Sequence, residues 1–152
     1  MKAMFRPLII ALLSLPLAVL AASDPEPTDP VLISVKDATG RQDYAKASEL
    51  LRGALAKAPD NADYHNLYAY SMRKGTNPNM DLVFKHYNEA LRINPKHRGA
   101  HEYIGEAYLM VGNAGKAKEH LAQLDKLCFF GCEEYSDLKK AIAEHEGGPA
   151  KK

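Results

Sequence analysis

Residues 98–131 read RGAHEYIGEAYLMVGNAGKAKEHLAQLDKLCFFG and decide the fold. The segment contains two stretches whose apolar residues recur three and four positions apart, which places them on one side of an α-helix. Gly112 and Asn113 separate the stretches and favour a turn. Gly105 lies inside the first stretch, where glycine costs about 1 kcal/mol of helix propensity relative to alanine. A helix keeps such a residue where a neighbouring helix packs too closely for a side chain, so the segment predicts a packed helix pair.

Two preceding segments, residues 28–61 and 62–97, carry the same arrangement. The second half of each again has apolar residues at helical spacing, which predicts an amphipathic helix. Pro59 and Pro95 lie 36 residues apart and end these helices, because proline lacks the backbone donor that a helix interior requires. Phe129 stands near the place of a third proline. Self-similarity at this period indicates helix pairs stacked side by side.

These residues resemble the tetratricopeptide repeat (TPR) family, whose units of about 34 residues are helix pairs. The resemblance implies an all-α, right-handed α-solenoid of about three helix pairs, acting as a protein-interaction module without catalytic activity. The first unit departs from the family pattern, because Val35 occupies the place of a small residue. The small residues expected at the packing positions of the repeats are Ala47, Ala54, Ala69, Ala90, Gly105 and Ala117.

A last amphipathic helix is predicted over residues 132–146. Tyr135, Leu138 and Ile142 follow one another at helical steps, and two acidic residues stand in its first turn, where the helix dipole favours negative charge. We expect this helix to cap the array by covering the apolar side of the third unit. The repeat domain then spans residues 30–146, and residues 147–152 form a flexible tail.

The amino-terminal residues have the three-part layout of a secretory signal peptide. Lys2 and Arg6 precede an almost wholly apolar run over residues 7–20, and small residues follow. We expect a signal peptide over residues 1–22, an acidic proline-rich spacer over residues 23–29, and export to the periplasm of a bacterium. The mature chain is not expected to insert into a membrane.

The overall charge is almost balanced, with 20 lysine and arginine residues against 19 aspartate and glutamate residues. Nucleic-acid-binding domains usually carry a concentrated positive charge. The composition therefore predicts no nucleic-acid partner. A length of about 130 residues after the leader suits one domain.

Cys128 and Cys132 are the two cysteines of the chain, and they lie at the predicted corner between the third unit and the capping helix. Nearby cysteines of an exported protein are expected to pair, since the compartment is oxidising. The prediction is a structural disulfide and no metal site. Two alternatives use the same residues: a copper(I) site completed by a histidine, or a thiol-exchange pair. Either would make the protein a metallochaperone or a redox accessory protein.

The first helix of each unit is expected to line a concave wall that binds a peptide or protein segment. Tyrosines with interleaved charges and amides suit such a surface, because aromatic rings give contact area at low entropic cost. The alternative is that these residues are simply the solvated face of a helix. The residues predicted to form the binding groove are Lys36, Asn66, Tyr70, Arg73, Glu102, Tyr103 and Glu106.

Cytosolic chaperone adaptors of the TPR family hold a carboxylate with lysine, asparagine and arginine at fixed places. Those places here hold Asn66, Tyr70, Gly99 and Tyr103, so that clamp is missing. No common catalytic or phosphate-binding motif occurs in the sequence. His97 and His101 have helical spacing that suits a metal, but no motif supplies a third ligand, and the other histidines are scattered. The prediction is a non-catalytic protein without a cofactor.

Overall fold

The computed structural model describes residues 29–148. The expected signal peptide, the first residues of the spacer and the last four residues of the tail lie outside this range. Within it, the helices are α1 (Pro30–Gly40), α2 (Tyr44–Leu55), α3 (Ala62–Lys74), α4 (Met80–Ile93), α5 (Arg98–Met110), α6 (Ala114–Leu127) and α7 (Glu133–Gly147). None of these helices has the length and apolarity that crossing a membrane requires.

Polar side chains begin the first six helices. Each accepts a hydrogen bond from a backbone N–H of the first turn, as Asn61 does from Tyr64 at 3.0 Å and Asn113 does from Lys116 at 3.1 Å. The bond satisfies a donor that has no partner inside the helix. Helix α5 uses an imidazole instead, because His97 Nδ1 accepts from Ala100 N at 3.2 Å. These caps, spaced along the sequence, set where every helix pair starts.

Consecutive helices pack against each other, and α5 also contacts α3 and α7. This pattern is that of TPR-like helix pairs stacked through their first helices, and it confirms the predicted all-α helical repeat. Helix α7 packs on both α5 and α6, so it occupies the position of the first helix of a further pair. The described chain is therefore three helix pairs followed by α7.

The apolar core consists of three clusters, each joining consecutive helices. The first combines α1 and α2 with Tyr64 of α3, the second joins α3, α4 and α5 around Tyr87, and the third joins α5, α6 and α7 around Leu124. All six small residues that the repeat pattern singled out are buried. Val35, which replaces a small residue in the first unit, is also fully buried. Each unit thus depends mainly on its neighbours, as in other repeat proteins.

Gly105 marks the closest approach between α5 and α7. A Cβ atom at this position would lie 2.6 and 2.7 Å from the two methyl carbons of Leu138 and 3.3 Å from its Cγ. Leu138 is fully buried in the third core cluster, so moving its side chain would disturb the packing of its neighbours. The glycine therefore allows α7 to seat on α5.

Replacing Gly105 with alanine should destabilise the protein by about 1–3 kcal/mol, because overpacking the contact with Leu138 outweighs the gain in helix propensity. Gly53 of α2 is the matched control, since a Cβ there meets no atom within 4 Å. Gly53→Ala should stabilise by about 0.5–1 kcal/mol. Urea unfolding followed by circular dichroism measures both changes. Equal effects of the two substitutions would show that the contact does not constrain α7.

Four histidines form two equivalent pairs inside the second and third units. His65 Nδ1 lies 2.8 Å from His86 Nδ1, and His101 Nδ1 lies 2.9 Å from His120 Nδ1. The other ring nitrogen of His65 is 2.8 Å from the carbonyl oxygen of Pro59. The corresponding nitrogen of His101 is 3.1 Å from that of Pro95. These four histidines therefore occupy equivalent places in the two units. The sequence had suggested instead that they are scattered.

The hydrogen bonds fix the tautomers of both pairs in their neutral form. A proline carbonyl only accepts, so Nε2 of His65 must donate, and the Nδ1 of a neutral His65 then accepts from the Nδ1–H of His86. The same reasoning applies to His101 and His120. Burial, together with the partner histidine, lowers the pKa of His86 and of His120 to about 4 in each case. His86 and His120 are thus neutral in the folded protein at neutral pH.

These pairs should make the protein less stable in mild acid. An unfolded histidine takes up a proton near pH 6.5, whereas His86 and His120 in the folded protein resist until about pH 4, so stability is lost as pH falls between these values. Between pH 7.5 and pH 5.0, the free energy of unfolding of a His86→Gln/His120→Gln variant should fall by about 1–2 kcal/mol less than that of the wild type. Carboxylates titrate in both proteins, so the difference between the two urea-unfolding series isolates the histidines. Identical pH dependence would contradict the assignment.

Candidate peptide-binding groove

Two adjoining cavities lie along the first helices of the units, and together they define the groove. The first cavity, of about 350 Å³, is lined by Leu32, Val35, Lys36, Thr39, Asp63, Asn66 and Leu67. The second, here called the acidic cavity, has about 270 Å³ and is lined by Asn66, Leu67, Gly99, Glu102, Tyr103, Glu133, Glu134 and Asp137. Asn66 and Leu67 line both, so the groove runs from α1 past α3 and α5 to α7.

A larger cavity of about 450 Å³ lies elsewhere, at the turns that end α1 and α3. Most of its lining residues belong to those turns or to the start of α2. None of the seven residues predicted from the sequence to bind a partner lines it. Its size alone assigns it no role.

The predicted groove residues divide into two groups. Lys36 is exposed and lines the first cavity, while Asn66, Glu102 and Tyr103 line the acidic cavity. The remaining three, Tyr70, Arg73 and Glu106, line neither cavity.

Arg73 is buried below the groove. It forms an ion pair with Glu106 at 2.5 Å, and its Nε donates to the hydroxyl oxygen of Tyr87 at 3.2 Å. Its guanidinium carbon lies 5.6 Å and 5.9 Å from the ring centres of Tyr70 and Tyr103. Arg73 is 6% exposed. It therefore joins α3, α4 and α5 from inside, where a partner cannot reach it directly.

The two groove tyrosines pack against each other, with 4.8 Å between the ring centres of Tyr70 and Tyr103. Burial raises the pKa of Tyr103 to about 12, and the neighbouring Glu102 adds to the effect. Burial also raises the pKa of Tyr70. Both hydroxyl groups stay neutral at physiological pH, and Tyr103, which lines the acidic cavity, can offer a hydrogen bond to a bound segment.

Glu102 is a buried carboxylic acid, only 8% exposed. Among the described residues it has neither an ion-pair partner nor a side-chain hydrogen bond. Burial raises the pKa of Glu102 to about 8 together with the negative charges of Glu106, Asp137 and Glu134. Holding an acid in such surroundings costs folding free energy.

Asn66 sits beside Glu102 in the lining of the acidic cavity and is 4% exposed. Its Oδ1 is buried and accepts no hydrogen bond from any described residue. Buried polar atoms almost always have a partner. The acidic cavity therefore holds an unused acceptor as well as an unpaired acid.

The sequence did not predict that α7 contributes to the groove. It assigned Glu133 and Glu134 only to the favourable end of a helix dipole, yet both line the acidic cavity with Asp137. The available signal was that α7 follows the third unit as its next first helix. Its residues then face the groove at the same places as those of α3 and α5.

The disulfide corner lies at the start of α7. Cys128 and Cys132 are bonded, with their Cα atoms 5.5 Å apart, a usual separation for a disulfide. Gly131, at φ +83°, supplies the left-handed conformation that the corner needs. Cys128 packs in the third core cluster, whereas Phe129 and Phe130 are 88% and 96% exposed.

Neither metal arrangement raised by the sequence is formed. His101 bonds to His120, whereas His97 Nε2 lies 3.1 Å from Asp63 Oδ1, so His97 and His101 do not converge. The one group of three candidate ligands among the described residues is Cys128, Cys132 and Glu134. Its sulfur atoms are bonded to each other and offer no thiolate.

Comparison with known proteins supports the repeat architecture. No protein-family model matches the chain. The chain is 29% identical over 98 residues to the TPR repeat-containing thioredoxin TTL4 of Arabidopsis thaliana, covering 64% of this chain and 13% of that protein. It is also 29% identical over 101 residues to the inactive TPR repeat-containing thioredoxin TTL3 of the same plant, covering 66% and 14%. The chain thus matches about one seventh of each relative's length and is similar to proteins that contain TPR repeats.

Proposed function

We propose that this protein is a non-catalytic interaction module that binds an extended segment of a partner protein in the groove. The observation that carries the proposal is the continuity of the two cavities through Asn66 and Leu67, along the first helices of successive units. The TPR-containing relatives support an interaction role. The word thioredoxin in their names gives no reason to assign a redox activity to this chain. Its cysteines lie four positions apart and are bonded.

The dimensions suit an extended peptide. Neighbouring packed helices are separated by about 8–10 Å. Three such steps from α1 to α7 therefore give roughly 25–30 Å, which an extended chain crosses in about eight residues. Apolar side chains in the first cavity and polar ones in the acidic cavity then give the segment a direction.

We further propose that the protein works in the bacterial cell envelope after export. The leader-like layout of residues 1–22 supports this location. The disulfide between Cys128 and Cys132 supports it independently, because such bonds persist in oxidising compartments. Amino-terminal sequencing of the protein from its native cells tests the expected cleavage after residue 21 or 22.

A photo-crosslinker placed in the groove should capture the partner. We expect p-benzoylphenylalanine at Lys36 or Leu67, which line the groove, to form an adduct in native cells. The same group at Lys85 of α4, which is exposed outside the groove, is the control and should form none. Circular dichroism verifies that each variant is folded. Adducts from Lys85 alone would place the binding surface on the other side of the helices.

A second candidate function uses the disulfide corner. If Cys128 and Cys132 were reduced, their sulfur atoms and a Glu134 oxygen, all within 4.8 Å of one another, could hold a soft metal ion. This arrangement is the observation in favour of a metallochaperone or thiol-redox role. The bonded state favours a structural role instead.

A structural disulfide should stabilise the protein by about 2 kcal/mol, as expected for closing so short a loop. Cys128→Ala/Cys132→Ala should therefore unfold at lower urea concentration than the wild type. A phosphine reductant should lower the urea concentration at which the wild type unfolds to that of the variant. The same reductant should leave the unfolding of the variant unchanged. Two free thiols that bind copper(I) in protein purified without reductant would favour the second candidate.

A further inference from the structure

The acidic cavity concentrates acidic side chains. Four acidic residues line it, Glu102 from α5 and Glu133, Glu134 and Asp137 from α7, and no lysine, arginine or histidine does so. Arg98 lies outside the lining and approaches one of them, with its Nε 3.4 Å from Glu134. Glu102, Glu133 and Asp137 have no ion-pair partner among the described residues, so the cavity is suited by charge to a further positive group.

Two side chains, each more than nine-tenths buried, distinguish this cavity from an ordinary acidic surface. Glu102 has no ion-pair partner among the described residues, and the neighbouring Asn66 has a buried Oδ1 without a hydrogen bond. Exposed acids interact with water and need no partner. Buried acceptors without partners cost free energy, which a ligand that donates hydrogen bonds would recover.

We propose that the acidic cavity binds an arginine or lysine side chain of the partner segment, with Glu102 as its carboxylate and Asn66 as a neutral acceptor. The inference rests on the proposed groove function and specifies the chemistry of its ligand. It reverses the charge of a carboxylate-binding clamp, because acidic residues here hold a cation.

The spacing of the acids favours a side chain over a bare metal ion. Among the described residues, the carboxylates of this cavity do not bring three ligand atoms within 4.8 Å of one another. A divalent cation needs several oxygens around one point. A guanidinium group instead presents five N–H donors spread across a plane and stacks on aromatic rings. Glu102, Asn66 and Tyr103 offer a carboxylate, an amide oxygen and a ring in one lining, so arginine fits better than lysine.

The neighbouring first cavity suggests the residue beside the cation. The half-buried Leu32 and Leu67 contribute apolar surface to it, and Leu67 continues into the acidic cavity. A segment that places a basic side chain against Glu102 would lay an adjacent apolar side chain against these residues. The preferred segment thus pairs a basic residue with an apolar one.

Binding should depend on pH through Glu102. Burial raises the pKa of Glu102 to about 8 together with the negative charges that face it, Glu106 of its own helix and Asp137 and Glu134 of α7, while the positive charge of Arg73 of α3 opposes them. Below that pH a cation must displace the proton of Glu102. The affinity should therefore rise with pH by up to about tenfold per unit between pH 6 and 8, and level off above.

The experiment titrates the ¹⁵N-labelled full chain with acetyl-Leu-Arg-Ala-amide and follows the amide resonances. The control peptide contains citrulline, which has the shape of arginine without the charge. We expect shifts at Asn66, Gly99 and Glu102, with the citrulline peptide binding about tenfold more weakly, as loss of a charged hydrogen bond predicts. Glu102→Gln should weaken the arginine peptide similarly, and Asp125→Asn, which removes an exposed acid from α6, should not.

Three results would overturn the inference. The first is that the citrulline peptide binds as tightly as the arginine peptide. The second is that no amide resonance shifts with about 10 mM arginine peptide. The third is that calcium chloride, added without peptide, shifts the same amide resonances. Calcium binding alone would mark the cavity as a cation site. Groove crosslinks together with any of these results would leave the proposed function standing and reject the basic side chain. Arginine binding at Glu102 without groove crosslinks in cells would reject the proposed function instead.

Discussion

The contact between Gly105 and Leu138 is the constraint on which the candidate site depends. It lets α7 lie against α5 at a distance that a larger residue would prevent. Asp137 is the neighbour of Leu138, and Glu134 lies one helical turn before it. Seating Leu138 on α5 therefore carries both acids to Glu102. One missing side chain in α5 thus determines the packing of the last helix and the charge of the cavity beside it.

The periodic features of this fold could be predicted from the sequence. The contacts between individual polar side chains of different helices could not. Apolar spacing, prolines and small residues repeat along the chain, so they give the helix pairs and their close contacts. Glu102 and Asn66 were also predicted at the groove. The burial of Arg73, the acids of α7 and the histidine pairs each depend on side chains that meet between helices. No local sequence pattern predicts such contacts, because each residue alone looks like an ordinary polar residue.

Buried polar groups in this protein serve two different purposes. Arg73 is fully engaged, with Glu106 and Tyr87 accepting its hydrogen bonds. Such an ion pair adds little net stability but penalises any other packing of α3, α4 and α5. Glu102 lies nearby and remains without a partner among the described residues. A hydrogen-bonded network beside an acid without an ion-pair partner is the arrangement expected where a fold holds a site ready for a ligand.

The repeated histidine pairs bear on how such a protein can grow. Each pair joins the two helices of its own unit and also reaches back to a proline carbonyl at the end of the preceding unit. The hydrogen bonds to the carbonyl oxygens of Pro59 and Pro95 are therefore equivalent contacts between successive units. A duplicated unit would bring its own histidines and find a matching carbonyl on whichever copy precedes it. Gene duplication could in this way lengthen the array without inventing a new junction.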